Sequence, residues 1–156
     1  MPRVLFANCL LTRPAVDAEA QAAAWLLVEN GRLTRTGAGE VPTELATVRR
    51  VDLGGKRVLP GLINAHTHLY SALAPRMPWP KTRPASFRAL LEQVWWRLDR
   101  ALDERALRVS VRLGLVEAIR HGVTTVIDHH SSPGITEGSL DIIAEEAHAL
   151  GIKVSL

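Results

Sequence analysis

The sequence contains one cysteine, Cys9, in 156 residues. A lone thiol forms no internal disulfide and cannot by itself build a cysteine zinc site. Long apolar runs are also missing. None approaches the roughly 18–20 residues that span a bilayer, so no membrane helix is expected. Lysine is scarce, at 3 residues against 16 arginines, and the net charge is only +3. The arginines are scattered through the chain instead of gathered beside aromatic residues, which argues against nucleic-acid binding. Repeats and low-complexity tracts are absent, and a hydrophobic share of 47% excludes a disordered chain. The length allows one modest core or two small ones. These features describe a reduced, cytoplasmic, soluble protein.

The start superficially resembles a signal peptide, with Arg3, an apolar Val4–Leu11 and an Ala-rich stretch. Asn8 interrupts that run, one basic residue precedes it, and Arg13-Pro14 follows at once. A strand is the better reading. Residues 1–57 read as β throughout. Trp25–Glu29 and Leu33–Arg35 flank Asn30-Gly31, a pair that tolerates positive φ at both turn positions and so predicts a hairpin. Thr36–Thr47 reads as loop, and Val48–Leu53 as a short strand closed by Gly54-Gly55.

The texture changes in residues 58–156. Val58–Ala65 is an apolar run that predicts one strand covered on both faces, ending in His66-Thr67-His68. Prolines 78, 80 and 84 make Met77–Pro84 a loop. Ser86 can cap a helix whose apolar stripe is Phe87, Leu90, Leu91, Val94, Trp95, Leu98 and Leu102. Asp103 caps a second helix, through Leu107, Val111, Leu115, Ala118 and Ile119, that stops at His121-Gly122. Val123–Asp128 is a β-branched strand, Ser139 opens a third helix that Gly151 ends, and Ile152–Leu156 begins another strand. Repeated β-α-β order predicts a parallel sheet.

His66 and His68 are the informative pair. Residues i and i+2 of a strand share a face, so both imidazoles enter one space while Thr67 points away. Imidazole suits zinc and similar divalent metals. A bare His-x-His is a weak signal, but the end of a strand in a βα series is where barrel enzymes place their sites. His129 and His130 fall on the same rim. Parity sends one inward and one away without saying which, and either is a candidate substrate contact. Asp128 can orient one of them or cap the loop. His121, His148 and Cys9 read as a helix-end residue, an exposed helical residue and a small core residue.

The stretch Pro60-Gly61-Leu62-Ile63-Asn64-Ala65-His66-Thr67-His68-Leu69, approached through Asp52–Leu59, resembles the amidohydrolase superfamily. His68–Leu73, Trp95–Asp99 and Arg120–His130 narrow the likeness to the SsnA-type aminohydrolases, within the chlorohydrolase and nucleobase-deaminase branch. The resemblance implies an α/β fold. In it, part of a small β-sandwich precedes the N-terminal part of a (β/α)8 barrel, which stays incomplete in this chain. It implies a divalent metal held by His66 and His68, with zinc the default and iron or manganese open. Tyr70, His129 and His130 are implied substrate contacts. The implied chemistry is hydrolysis of a non-peptide C–N bond in a purine-, pyrimidine- or triazine-like amine by a metal-activated water.

Family members add a His after the fifth strand, a His after the sixth, an Asp after the eighth and a Glu proton shuttle. The 156 residues hold none of these positions. The expectation is therefore a catalytically incomplete chain, forming a homo-oligomer or completed by another polypeptide. A non-catalytic oligomerisation or binding module is the competing reading. A hydantoinase-type dinuclear site is a third, which the Asp128-His129-His130 match disfavours.

Overall fold

The structure, a computed structural model, describes residues 2–12 and 21–156. Residues 13–20, with the Arg13-Pro14 break and the first part of the Ala-rich stretch, lie outside the described residues. The chain divides into two compact units, Met1–Pro60 and Gly61–Leu156. No helix among the described residues is long and apolar enough to cross a membrane.

The first unit is a twisted sheet of β1 (Arg3–Leu11), β2 (Gln21–Glu29), β3 (Arg32–Ala38) and β4 (Arg49–Asp52) in the order β3-β2-β1-β4, with β5 (Arg57–Val58) also beside β1. Asn30 and Gly31 take φ of 53° and 74°, so the β2–β3 turn has the geometry their sequence foretells. Two expectations shift. The segment Thr36–Ala38, read as loop, is strand, because β2 reaches back far enough to pair Ala24 with Ala38. The run Val58–Ala65 is not one strand: Arg57–Val58 pairs with β1, and Leu62–Thr67 forms β6 of the second unit. Pro60 offers no N–H to a ladder, and at Gly61 a side chain would collide with Thr124. Cys9 is buried with its thiol on the Ala24 carbonyl, 3.2 Å away, and burial pushes its pKa up. It is a core residue.

The second unit is built on a parallel sheet in the order β6, β7 (Val123–Asp128), β8 (Lys153–Ser155). Two helices, α3 (Glu104–Arg120) and α4 (Ser139–Leu150), supply its core with Leu107, Val111, Leu115, Ile142, Ile143 and Ala147 around Val126 and Ile152 of the sheet side. Only that face is covered among the described residues. On the other, Ile63 is 64% and Ile127 44% exposed, where the unbroken apolar run predicted cover on both faces.

The stretch after Ser86 is also less regular than its periodicity suggests. Ser86 does cap it, its hydroxyl accepting from Ala89 N at 3.1 Å. The run then passes through α1 (Phe87–Leu90), a π-helical turn Leu91–Trp95 and α2 (Trp96–Ala101). Val94 and Leu98 are buried, but Phe87 is 73% exposed and Leu102 lies beyond the helix end in extended backbone. Asp103 caps α3 through Ala106 N at 2.7 Å, and Gly122, at φ 78°, terminates it. Ile119, assigned to the buried stripe, is exposed. At α4 the capping residue is Gly138, at φ 75°, with Ser139 the first helical residue.

The α3–α4 contact holds a charge cluster that periodicity does not disclose. Glu146, its side chain only 4% exposed, accepts from Arg112 Nε at 2.7 Å and from Arg108 Nη1 at 3.0 Å. These guanidinium bonds, Arg112 first, hold its carboxyl below the usual range. A depressed folded-state pKa contributes stability above the unfolded value of about 4.3 and loses it as pH falls through the folded value. The thermal midpoint of Glu146→Gln is therefore expected to lie below that of the parent at pH 7. The gap should narrow as pH drops below about 4. A gap that is constant from pH 7 to pH 3 rejects the linkage.

Candidate metal centre

The second unit brings the two histidines together at the end of β6. His66 and His68 present their rings edge to face, with centroids 5.3 Å apart. Both line a cavity of about 370 Å³ with Ala65, Thr67, Ile127, Asp128 and His129. The β6–β7 register slips between Asn64 and Thr67, and Thr67 also borders the cavity. His68 lies just past the strand, at φ −135° and ψ 83°.

A tightly held 3-10 turn, Leu69–Ser71, comes directly after His68. Leu69 N donates to Asp128 Oδ1 at 2.8 Å. The buried Ser110 hydroxyl of α3 lies 2.9 Å from the Leu69 carbonyl and 2.8 Å from that of Tyr70. Gly114 lets α3 come this close, since a Cβ there would stand 3.0 Å from Leu69 Cδ2. Asp128 thus orients neither histidine that succeeds it in the chain. It ties the backbone after His68 to the end of β7. Burial pushes its carboxyl pKa up, against the lowering effect of Leu69 N–H and of the neighbouring histidines.

The partner of His68 sets its tautomer. Its Nδ1 is 2.9 Å from the carbonyl oxygen of His129, an acceptor, so Nδ1 carries a proton and, in the neutral ring, Nε2 is the nitrogen left with a lone pair. That is the state a metal-ligating imidazole needs. His66 adds a second ring to the same cavity. Among the described residues no group of three or more His, Cys, Asp or Glu side chains is poised as a complete metal cage. The donors present fit half of a zinc or similar coordination shell.

The histidines just past β7 separate. The His129 ring faces the cavity, 5.5 Å from that of His68. His130 turns instead to Tyr70, with ring centroids 5.6 Å apart. Ser132 Oγ donates to the Ile135 carbonyl at 3.1 Å, so His130 Nε2 donates to Ser132 Oγ, 2.5 Å away. Burial lowers the His130 pKa, which favours this neutral form, and leaves Nδ1 buried without a partner. Tyr70 is buried beside both His68 and His130. Burial raises its phenol pKa, aided by Asp99 and Asp128.

Asp99 escapes sequence reasoning. It is 8% exposed and belongs to a second cavity with Tyr70. Its place four residues after Trp95, on the side of the helix meant for apolar residues, was the available signal.

A sequence model of the amidohydrolase family matches residues 57–156. The chain belongs to the amidohydrolase family. This amidohydrolase chain is 34% identical over 146 residues to an 8-oxoguanine deaminase of Pseudomonas aeruginosa, covering 86% of the chain and 30% of that protein. It is 27% identical over 139 residues to a 5-methylthioadenosine/S-adenosylhomocysteine deaminase of Bacillus cereus, covering 85% and 29%. Among solved structures, triazine hydrolase from Arthrobacter aurescens superimposes with a TM-score of 0.78 at 26% identity, over 99% of this chain and 35% of that one. An atrazine chlorohydrolase from the same species, complexed with zinc, gives 0.74 at 24% identity, over 97% and 34%. The mixed α/β architecture matches these neighbours. The chain spans about 30% of the length of the curated relatives it matches.

Asp128→Ala removes the acceptor for Leu69 N and is expected to cost about 1–3 kcal/mol. By loosening the turn behind His68 it should also weaken zinc binding by about 10–100-fold. Asp128→Asn retains an acceptor oxygen and should do less on both counts. Paired thermal melts and zinc titrations check this, and equal behaviour of the two variants rejects it.

Proposed function

We propose that this chain carries the opening metal-binding segment of a metal-dependent hydrolase that cleaves a non-peptide C–N bond of a small heterocyclic amine. In this reading the second unit is the start of a (β/α)8 barrel, and the first unit is part of a small β-sandwich. The uncovered face bearing Ile63 and Ile127 supports the barrel assignment, since barrel strands meet side chains on their inner face as well as helices outside. His66 and His68 are the proposed metal ligands, through imidazole nitrogens suited to zinc, with iron or manganese as alternatives. Tyr70, His129 and His130 are the proposed substrate contacts. The deaminase names of the relatives support a purine-like amine, and the triazine hydrolase likeness supports a triazine.

One observation carries the reading: the His129 carbonyl that fixes the proton of His68 on Nδ1. The zinc ion, when bound, supplies Lewis-acid activation of water. The chain's own contribution is to fix the tautomer of the neutral His68 ring and aim it by a backbone oxygen, so that Nε2 is the nitrogen presented to the metal. The His129 ring borders the same cavity and is placed to meet what enters it. His130, neutral and donating through Nε2, braces Tyr70 behind it. Two imidazoles provide neither a full coordination shell nor a proton shuttle. The 156-residue chain by itself is therefore expected to bind zinc without turning over purine, pyrimidine or triazine amines.

Isothermal titration of the chain with zinc, together with imidazole NMR resonances, tests the proposal. One zinc per chain with shifts centred on His66 and His68 is the expected result. Zinc uptake that leaves both rings unperturbed overturns it.

A further inference from the structure

We infer that α3 positions the His68 ring through Ser110, whose hydroxyl fixes the turn directly after that histidine. That His68 is a metal ligand rests on the hydrolase reading above; that Ser110 sets its ring does not.

Ser110 is out of character where it stands. Its neighbours on the inner stripe of α3 are Leu107, Val111 and Leu115, and like them it is fully buried. Alanine or leucine suits a helix interior better, and a hydroxyl in an apolar core is a cost unless it is bonded. A serine inside a helix usually turns to the carbonyl four residues before it. Ser110 instead reaches across to another segment, 2.9 Å from Leu69 O and 2.8 Å from Tyr70 O, 41 and 40 positions earlier. One hydroxyl hydrogen is thus shared by two successive carbonyls.

The angle of the His68 ring depends on that turn. Before the ring, Thr67 O accepts from His129 N at 3.1 Å. After it, Leu69 N donates to Asp128 Oδ1 at 2.8 Å. The ring's own bond, from Nδ1 to His129 O at 2.9 Å, goes to the same place. Three attachments to one short segment at the end of β7 leave the turn free to pivot about it. Ser110 is the attachment from the helix layer that stops the pivot. Gly114, one helical turn on, packs against Leu69 beside it.

Without the hydroxyl, the Leu69 carbonyl falls back on a long bond from Ala72 N at 3.3 Å, and the Tyr70 carbonyl loses its tie to α3. A shift of about 0.5 Å in the turn then takes the bond at Nδ1 to the edge of bonding distance.

The test follows the His68 ring in the metal-free 156-residue chain through its imidazole nitrogen shifts. Zinc affinity is measured separately by dye competition. The parent should show one tautomer, with the proton on Nδ1. Ser110→Ala should show two tautomers in exchange and bind zinc about tenfold more weakly, as when a ligand loses its support. Ser110→Thr, which keeps the hydroxyl, should restore both readouts. Ile143→Val, in the same core but on α4, controls for stability alone. It should lower the thermal midpoint and move neither readout.

A Ser110→Ala chain that keeps the single tautomer of the parent overturns the inference. So does an equal change in Ile143→Val, which would reduce Ser110 to packing. If Ser110→Ala does not fold, Gly114→Ala takes its place. A Cβ there stands 3.0 Å from Leu69 Cδ2 and presses on the same turn, while the helix gains propensity. It should disturb the ring in the same way, and an undisturbed ring overturns the inference. Failure of the parent to bind zinc would sink the hydrolase reading and leave the ring pattern to decide for or against Ser110.

Discussion

His68→Ala is expected to weaken zinc binding to the chain by at least about a hundredfold, the upper end of the 10–100-fold range typical when only a supporting partner of a ligand is lost. The reasoning is local. His68 is the ring whose proton position is dictated by a fixed acceptor, the His129 carbonyl at 2.9 Å, and whose backbone is tied down on its far side through Leu69 N. Removing it leaves His66 alone, and a single imidazole on an exposed strand end competes poorly with water for a divalent ion. His68→Gln, which offers a side-chain carbonyl in place of Nε2, should recover little, because zinc prefers nitrogen and sulfur donors. His121→Ala is the matching control. That ring is exposed and sits on the carbonyl of Glu117 at the end of α3, remote from the cavity, so its loss should leave zinc affinity unchanged. Competition titration against a zinc-sensitive dye reads all three variants. Parent-like affinity in His68→Ala would remove the basis for the proposed centre.

Leu115→Ala should cost about 2–5 kcal/mol, the range for emptying a closed leucine site. Leu115 is fully buried on α3 within the core that joins α3, α4 and β7. Marginal stabilities of about 5–15 kcal/mol are usual for whole domains. The substitution is thus expected to unfold a large fraction of the second unit near physiological temperature. The same helix carries Ser110 and Gly114 against the Leu69–Ser71 turn, so the loss should also reach the proposed metal centre. Urea denaturation and zinc titration on the same sample check both effects. A loss below about 1 kcal/mol would mean that this core is not what supports the turn.

Much of the framework was legible because it obeys rules that act over a few residues. Asn30-Gly31 specifies its turn through tolerated φ, Ser86 and Asp103 specify helix starts through side-chain acceptors, and Gly122 and Gly151 specify stops. The spacing of His66 and His68 likewise foretold that their rings would share a space, and they do. The errors arise where a distant partner overrides a local pattern. Val58 has the same apolar character as Leu62 and Ile63, yet β1 captures it because a parallel edge is available there. Phe87 fits the helical stripe by spacing but lies ahead of the π-helical turn, where the stripe no longer faces the core. Glu146 reads as an ordinary surface glutamate until α3 brings two arginines to it.

The sequence by itself determined most of the order of elements, the family and the identity of the paired imidazoles, since each depends on residue type and near-neighbour spacing. Tertiary structure alone decided which histidine past β7 meets that pair, that Asp128 secures Leu69 instead of a ring, and that Asp99 is buried beside Tyr70. Those outcomes are set by contacts between segments some 30 to 60 residues apart, such as Leu69 with Asp128, separated by 59 positions. Local periodicity carries no record of such pairings, because they exist only once strands and helices have chosen their neighbours.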